Sequence, residues 1–252
     1  MKLLKIVSII VGALVVAMVI FVGWYGISMK QELNIMRPLD TQELVAGINV
    51  IKDDNYINMF LIKSNGGYVA IDAAQNEQTV KREMAKLGIE PEMVKAVLLT
   101  HSDYDHVGAI SVFSNATIYL PAAEEQMVNG KTPRAALIHH NKFNSTYQLF
   151  EDNQVLDIDG LKVKGIWTPG HTPGSTSYLI KDEYLFTGDT LRLKDQKAAV
   201  FNEFFNMDTD TQKKSISKLA GLTGIKYLFT NHYGYSDSVA EVFAGWNSLE
   251  AK

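Results

Sequence analysis

The sequence predicts an α+β domain, short strands packed as a sheet sandwich with few helices, behind a single N-terminal transmembrane helix. Three observations predict it. A charge-free apolar run, residues 6–27, follows the basic start Met1-Lys2-Leu3-Leu4-Lys5. Beyond it lies a series of short β-branched and aromatic runs bounded by Gly, Pro, Asn and Asp, the mark of strands rather than long helices. His101, His171, Asp189 and His232 each stand just past such a run, so a sandwich would gather them at one edge.

The apolar run comes first. About 22 residues at roughly 1.5 Å each span about 33 Å, against a bilayer core of about 30 Å. Trp24 and Tyr25 lie at its far end, where interfacial aromatics sit. Gly26-Ile27-Ser28 offers small residues for cleavage of a secretory signal, which would leave the domain secreted. A signal's apolar region is typically about 7–15 residues, so length favours an uncleaved anchor. Lys2 and Lys5 precede the span, whereas Lys30 and Arg37 after it are diluted by Glu32. That balance puts the N-terminus inside and the domain on the extracytoplasmic side of the cell membrane. The expected organisation is an anchor or signal at 1–28, a polar stalk broken by Pro38 at 29–44, and a folded domain at 45–252.

Within the domain, residues 48–52, 57–62 and 68–71 read as strands, the last after the turn Asn65-Gly66-Gly67 and closed by Asp72. An amphipathic helix is expected over 80–87, stopped by Gly88. Residues 93–99, after Pro91, form a buried strand. A short apolar helix over 108–113 and a strand over 117–120, stopped by Pro121, come next. Residues 122–142 are polar with little periodicity, and no element is predicted there. They include His139-His140, whose neighbouring side chains point apart with no third ligand nearby, and which read as solvated surface. Strands are expected over 147–150, 154–158 and 161–167, the last two joined by Asp159-Gly160, and a hairpin over 177–180 and 184–186. Asp208 caps a helix to about residue 219, with Thr209 and Asp210 in its first turn. A strand over 225–230 and a helix over 237–249 finish the chain.

Composition narrows the chemistry. A chain of 252 residues with 46% hydrophobic and 21% charged residues is ordinary for a globular fold. The formal net charge of -4, without a basic cluster, argues against nucleic acid as a partner. Cysteine is absent, which excludes disulfides, thiolate metal ligands and a Cys nucleophile. Any metal must therefore be held by His and carboxylate.

The segment Thr100-His101-Ser102-Asp103-Tyr104-Asp105-His106-Val107-Gly108 places two histidines and two aspartates directly after a buried strand. Side chains alternate with period two in a strand end, so His101 and Asp103 point the same way. Asp105 and His106 lie past the strand and are free to turn toward a second point, so one loop could serve two metal positions, although surface histidines and ordinary turn aspartates fit the same residues. In Pro169-Gly170-His171-Thr172-Pro173-Gly174 the histidine is bracketed by Pro and Gly, a restriction that a ligand held to tenths of an ångström needs. Gly188-Asp189-Thr190 and Asn231-His232-Tyr233-Gly234 follow later strands. Taken singly, each of these reads equally as a turn or cap.

In this order the five places (Asp72, the His/Asp loop, the Pro-Gly-His-Thr loop, the Gly-Asp-Thr turn and the strand-end His232) resemble the metallo-beta-lactamase superfamily. The resemblance runs from about residue 48 to the last helix. It implies a four-layer αββα sandwich with metals at one edge of the two sheets. It also implies two divalent ions, zinc with manganese or iron as alternatives. The first would be held by His101, Asp103 and His171 and the second by Asp105, His106 and His232, with Asp189 bridging. A hydroxide would sit between them, Asp105 would act as the catalytic carboxylate, and Asp72 would orient a ligand histidine.

One position departs from the family, which has histidine where this chain has Asp103. Aspartate ligates zinc, but the added negative charge lowers the acidity of the bound water and favours harder ions. The expected reaction is hydrolysis of a small-molecule ester, thioester, lactone, lactam or phosphoester. Members with glyoxalase-type activity carry an added C-terminal helical domain, and this chain ends one helix after His232, which implies another substrate. A second reading keeps the fold as a catalytically weakened metal- or ligand-binding ectodomain. Substrate-binding residues are unassigned; Tyr104, Tyr233, Phe204 and Phe205 serve equally as pocket wall or loop packing.

Overall fold

The computed structural model describes residues 2–53, 56–134 and 145–246, with side chains from residue 5. It divides into two units, residues 1–36 and 37–252. The first is one helix, α1 (Lys2–Ile35), whose apolar side chains, among them Ile9, Leu14, Met18 and Ile20, are exposed. By length and composition it suffices to cross a membrane. It extends past Ser28 into the segment expected as a stalk.

In the second unit, seven strands form one sheet in sequence order: β1 (Gln42–Val45), β2 (Ile48–Asp53), β3 (Ile57–Lys63), β4 (Tyr68–Ile71), β5 (Val94–Leu98), β6 (Thr117–Pro121) and β7 (Tyr147–Phe150). Strands β1 to β4 pair antiparallel and β4 to β7 parallel. The second sheet draws on β8 (Val155–Ile158), β9 (Leu161–Trp167), β10 (Thr176–Ile180), β11 (Tyr184–Phe186), β14 (Tyr227–Phe229) and β15 (Tyr235–Ser236), in the order β15-β14-β11-β10-β9-β8. A separate hairpin, β12 (Arg192–Lys194) with β13 (Lys197–Ala199), lies outside both. The helices of this unit are α2 (Glu77–Lys86), α3 (Tyr104–Val107), α4 (Glu125–Val128), α5 (Thr209–Ala220) and α6 (Val239–Val242).

Alternation along the strands sorts the core into layers. In β3, Phe60 and Ile62 face the inter-sheet core with Val69, Ile71, Leu98, Phe186 and Phe229. Met59 and Leu61 face outward into a second core with Val97 and with Val80 and Met84 of α2. Both faces of the first sheet are thus apolar, and β3 reads as a continuous hydrophobic run. Phe60 packs on Phe186 and Phe229 with centroids 5.3 and 5.4 Å apart, joining the sheets. On the far face of the second sheet lies α5. Its Ser215 Oγ donates to the Pro169 carbonyl and its Lys218 Nζ to that of Trp167. Helix, sheet, sheet and helix give the four-layer αββα architecture.

The paired strands end together. β4 and β5 run parallel with Ile71 beside Leu98, and β11 and β14 run parallel with Phe186 beside Phe229. The loops after these four strands therefore meet at one edge. Thr176 N donates to the Thr100 carbonyl at 2.9 Å and ties the sheets there.

Several expectations shift. The helix expected over 80–87 begins at Glu77, where the Asn76 side chain accepts from Thr79 N. The apolar helix expected over 108–113 is a single tight turn at Ile110–Phe113 after the short α3. The final strand narrows to Tyr227–Phe229, and α6 covers only Val239–Val242 of the helix expected over 237–249, whose last residues lie outside the described ones. Strands β1, β12, β13 and β15 are not expected from the sequence, because QELV, RLK, KAA and YS carry no run of branched or aromatic residues.

Candidate metal centre

Each loop is held by backbone geometry that its sequence allows. Asp72 follows β4 at φ +58, a left-handed conformation that Asp tolerates better than most residues. Gly188 (φ +53) comes so close that a Cβ would lie 2.7 Å from the Thr100 side chain, and one at Gly174 would lie 2.1 Å from Glu124 N. Only glycine fits at these crossings.

The seven ligand candidates converge. Oδ2 of Asp189 lies 4.0 Å from His101 Nε2, 3.5 Å from His106 Nε2, 3.5 Å from His171 Nε2 and 3.4 Å from His232 Nε2. Oδ2 of Asp105 is 3.7 Å from His106 Nε2 and 3.4 Å from His232 Nε2. On the other side, Asp103 Oδ2 is 3.6 Å from His101 Nε2 and 3.1 Å from His171 Nε2. Two three-residue clusters, His101–Asp103–His171 and Asp105–His106–His232, thus flank one shared carboxylate, and Asp189 forms a third group with His101 and His106 between them. His139 and His140 lie outside the described residues.

The second cluster fits a tetrahedral ion. With bonds of about 2.0–2.1 Å, ligand atoms around zinc stand about 3.3–3.4 Å apart, close to the 3.4, 3.5, 3.4 and 3.7 Å separations among Asp105, Asp189, His106 and His232. Buried His106 Nε2 and Asp189 Oδ1, with His101 Nε2, have no hydrogen-bond partner among the described residues. Buried polar atoms are seldom left so unless something else binds them.

All four rings are held from behind, which directs Nε2 inward. His106 Nδ1 meets Asp72 Oδ2 at 2.8 Å, and His232 Nδ1 meets the Tyr56 carbonyl at 2.8 Å. Thr100 Oγ1 donates to Asp72 Oδ2 at 2.9 Å, so its oxygen is left to accept from His101 Nδ1, also at 2.9 Å. His171 Nδ1 faces Asn206 Oδ1 at 3.3 Å, the amide being set by Asn206 Nδ2 donating to Gln212 Oε1 at 2.7 Å. Acceptors behind every Nδ1 place its hydrogen there and leave the Nε2 lone pair for an ion.

Electrostatics follow the crowding. Burial alone would lower His106 and His232, but the carboxylates outweigh it. Asp105, Asp189 and Asp72 hold His106 well above its usual value, and Asp189 and Asp105 push His232 up to about 10. Burial opposes ionisation of Asp189, yet His232 and His106 keep it well below the usual carboxylate range. Asp105 is lowered against burial by His106 and His232. It is also the most open of these carboxylates, with 36% of its side chain exposed, so it can face both the rings and an entering molecule.

Three participants had no sequence signal. Buried Glu124 accepts from Ser102 N and Oγ at 2.9 and 2.6 Å and from Thr172 Oγ1 and Gly174 N at 2.7 and 3.0 Å. It fastens the loop carrying His101 to the loop carrying His171, and burial raises its carboxyl. Phe201 stands edge-on to His171 and His232, with centroids 5.0 and 5.9 Å away. Arg134 reaches Asp103, Nε lying 3.1 Å from both carboxylate oxygens. Of the aromatics named from sequence, Tyr233 is buried 6.3 Å from His232 and Tyr104 is half exposed. Phe204 and Phe205 are half-buried.

A family model, the metallo-beta-lactamase superfamily, matches residues 53–230. Among curated proteins the chain is 29% identical over 140 residues to the probable polyketide biosynthesis zinc-dependent hydrolase BaeB of Bacillus velezensis, covering 54% of this chain and 55% of that one. It is 28% identical over 170 residues to a hydroxyacylglutathione hydrolase of Buchnera aphidicola, covering 65% and 58%. The chain thus spans a little over half the length of these relatives. Among solved structures it resembles a metallo-beta-lactamase family protein from Thermus thermophilus (TM-score 0.64, 21% identity, 82% of this chain and 79% of that one). A subclass B3 metallo-beta-lactamase of Bradyrhizobium japonicum gives TM-score 0.61 at 19% identity, covering 79% of each. At these identities the structural likeness speaks for the fold.

Proposed function

Because the chain belongs to the metallo-beta-lactamase superfamily, matched over residues 53–230, we propose that it is a metal-dependent hydrolase acting at the edge where Asp189 meets four histidines. The observation that carries this reading is the contact of one carboxylate oxygen with four inward-facing Nε2 atoms at 3.4–4.0 Å. Asp105, His106, His232 and Asp189 would hold a divalent ion, zinc before manganese or iron because two of the four donors are imidazoles. A bound ion supplies Lewis-acid chemistry, acidifying water to a nucleophile and polarising the bond attacked. The dinuclear arrangement expected from sequence also needs an ion among His101, Asp103 and His171.

The chain's own groups do the rest. Asp105, whose Oδ2 would hold the ion, would use its other carboxylate oxygen to orient the attacking water and carry its proton to the leaving group. Glu124 keeps the two ligand loops in register, and Phe201 walls His171 and His232 from solvent. Esters and thioesters are the substrates to screen first, since the names of similar proteins include hydroxyacylglutathione hydrolase and an ACP thioesterase. Lactones, lactams and phosphoesters follow. In this reading α1 anchors the domain on the extracytoplasmic face. Protease treatment of intact cells should cleave the domain, and protection until lysis would overturn that placement.

The test strips the chain with chelator and reloads it with zinc, manganese or ferrous iron. Hydrolysis is expected only after reloading, and Asp105→Asn should lose at least about a hundredfold. His232 near 10 and His106 well above its usual value carry protons that an ion must displace. Uptake should therefore release protons, and affinity should climb as pH rises toward 10. Metal bound without hydrolysis of any of the five classes would favour the binding-ectodomain reading.

A further inference from the structure

The first cluster differs from the second in one respect: a cation of the chain itself already stands in it. Arg134 is enclosed, with 17% of its side chain exposed. Nε faces both Asp103 oxygens at 3.1 Å and Nη2 lies 3.0 Å from Oδ2. Nη1 donates to the His171 carbonyl at 3.1 Å, and Nη2 donates to the Phe205 carbonyl. The guanidinium fork is thus fastened to a carboxylate and to two loops of the site, a geometry that lysine cannot copy.

The decisive contact is with the ligand atoms. His171 Nε2 and Asp103 Oδ2 are 3.1 Å apart. In the tautomer that places the His171 hydrogen on Nδ1 against Asn206 Oδ1, both atoms present lone pairs, which call for a cationic donor beside them. Arg134 Nη2 supplies it, 3.3 Å from Nε2 and 3.0 Å from Oδ2. An ion bound by His101, Asp103 and His171 would need the same two lone pairs. Its approach is also set by local structure: Thr132 N and Oγ1 bond the carbonyl and side chain of Gln126 at 2.9 and 2.8 Å, and Pro133 stiffens the step to Arg134.

Charge points the same way. Asp103, Asp105 and Asp189 carry three negative charges; Arg134 and one divalent ion carry three positive ones. A second divalent ion beside Arg134, with the hydroxide expected between two ions, would leave an excess of one positive charge in a buried site, which is costly.

We propose that Arg134 is a built-in cation that takes the place of the first metal, so that this centre holds one ion, among Asp105, His106, His232 and Asp189. The inference rests on the metallo-hydrolase reading above. Arg134 then acts as a positioning residue: it holds Asp103 and His171 in the places of metal ligands and keeps the site neutral.

The test is metal content of the detergent-purified full chain after reloading with excess zinc and desalting, together with manganese paramagnetic resonance. Wild type should hold one zinc per chain and give an uncoupled manganese spectrum. Arg134→Gln, with Asp103 freed, should take a second zinc and give the exchange-coupled spectrum of a manganese pair. Arg134→Lys, which keeps the charge, should stay at one and serves as the folding control. Two ions in wild type would overturn the inference while leaving a metallo-hydrolase; none would overturn the reading beneath it. One ion in Arg134→Gln rising to two only when Asp103→His is added would also overturn it, since Asp103 rather than Arg134 would then exclude the metal.

Discussion

Replacing Asp189 with alanine should abolish hydrolysis and weaken metal binding by more than a hundredfold, the largest effect expected of any single change. Among the described residues no other side chain lies this close to all four rings. Its Oδ2 is within 3.4–4.0 Å of each Nε2, and losing it leaves Asp105 as the sole carboxylate of the second cluster. Even residues that only support a ligand change affinity by about 10–100-fold, and a ligand itself should exceed that. A second signature separates loss of a ligand from unfolding. Asp189 is the largest influence raising His232 and the second largest raising His106, so without it both rings fall toward their ordinary range. Calorimetry in two buffers of different ionisation enthalpy should then show less proton release per ion bound at neutral pH. Wild-type affinity in Asp189→Ala, measured against a chelating dye, would remove Asp189 from the centre.

Asp72 should be nearly as sensitive, through a different route. It accepts four hydrogen bonds in a fully buried position: Thr100 N at 2.7 Å, Thr100 Oγ1 at 2.9 Å, His106 Nδ1 at 2.8 Å and Asn231 Nδ2 at 2.8 Å. Asp72→Ala orphans all four donors, each at about 1–3 kcal/mol, and places alanine in left-handed backbone at a further cost of about 1–2 kcal/mol. A loss of at least about 4 kcal/mol, read as a fall in the denaturation midpoint, is the expected result. Asp72→Asn keeps the shape and tolerates the backbone, but presents one acceptor oxygen where two stood. His106 Nδ1 and Thr100 Oγ1 then compete, the His106 and His101 rings lose their fixed tautomers, and metal affinity should drop by about 10–100-fold. A variant that folds and binds metal as wild type would show that ring orientation is set elsewhere.

Much of this centre is legible in sequence for physical reasons. Strands β2 to β11 announce themselves by branched and aromatic runs between turn residues, and parallel pairing of β4 with β5 and β11 with β14 brings their following loops to one edge. The spacing from His101 to His106 already suggests two clusters, because the chain turns into α3 at Tyr104, leaving His101 and Asp103 before the turn and Asp105 and His106 within it. The hairpin turn Asp159-Gly160 is equally plain, with both residues at positive φ.

Elsewhere local pattern carries little. Glu124, Arg134 and Phe201 lie in segments without periodicity, and what each does depends on partners 22 to 50 residues away for Glu124 and 31 to 71 residues away for Arg134. A glutamate before a short helix or an arginine after a proline looks like ordinary surface until the chain closes around it.

The sequence by itself determined the strands and the set of ligand types, which follow from short-range alternation and composition, and the ordered motifs after the strands carried the resemblance that implied the family and its layered fold. Only the tertiary structure decided which cation faces Asp103. That is set by long-range closure, where Arg134, Asp103, His171 and Phe205 meet with their charges and lone pairs matched, and no local period in the chain encodes such a meeting.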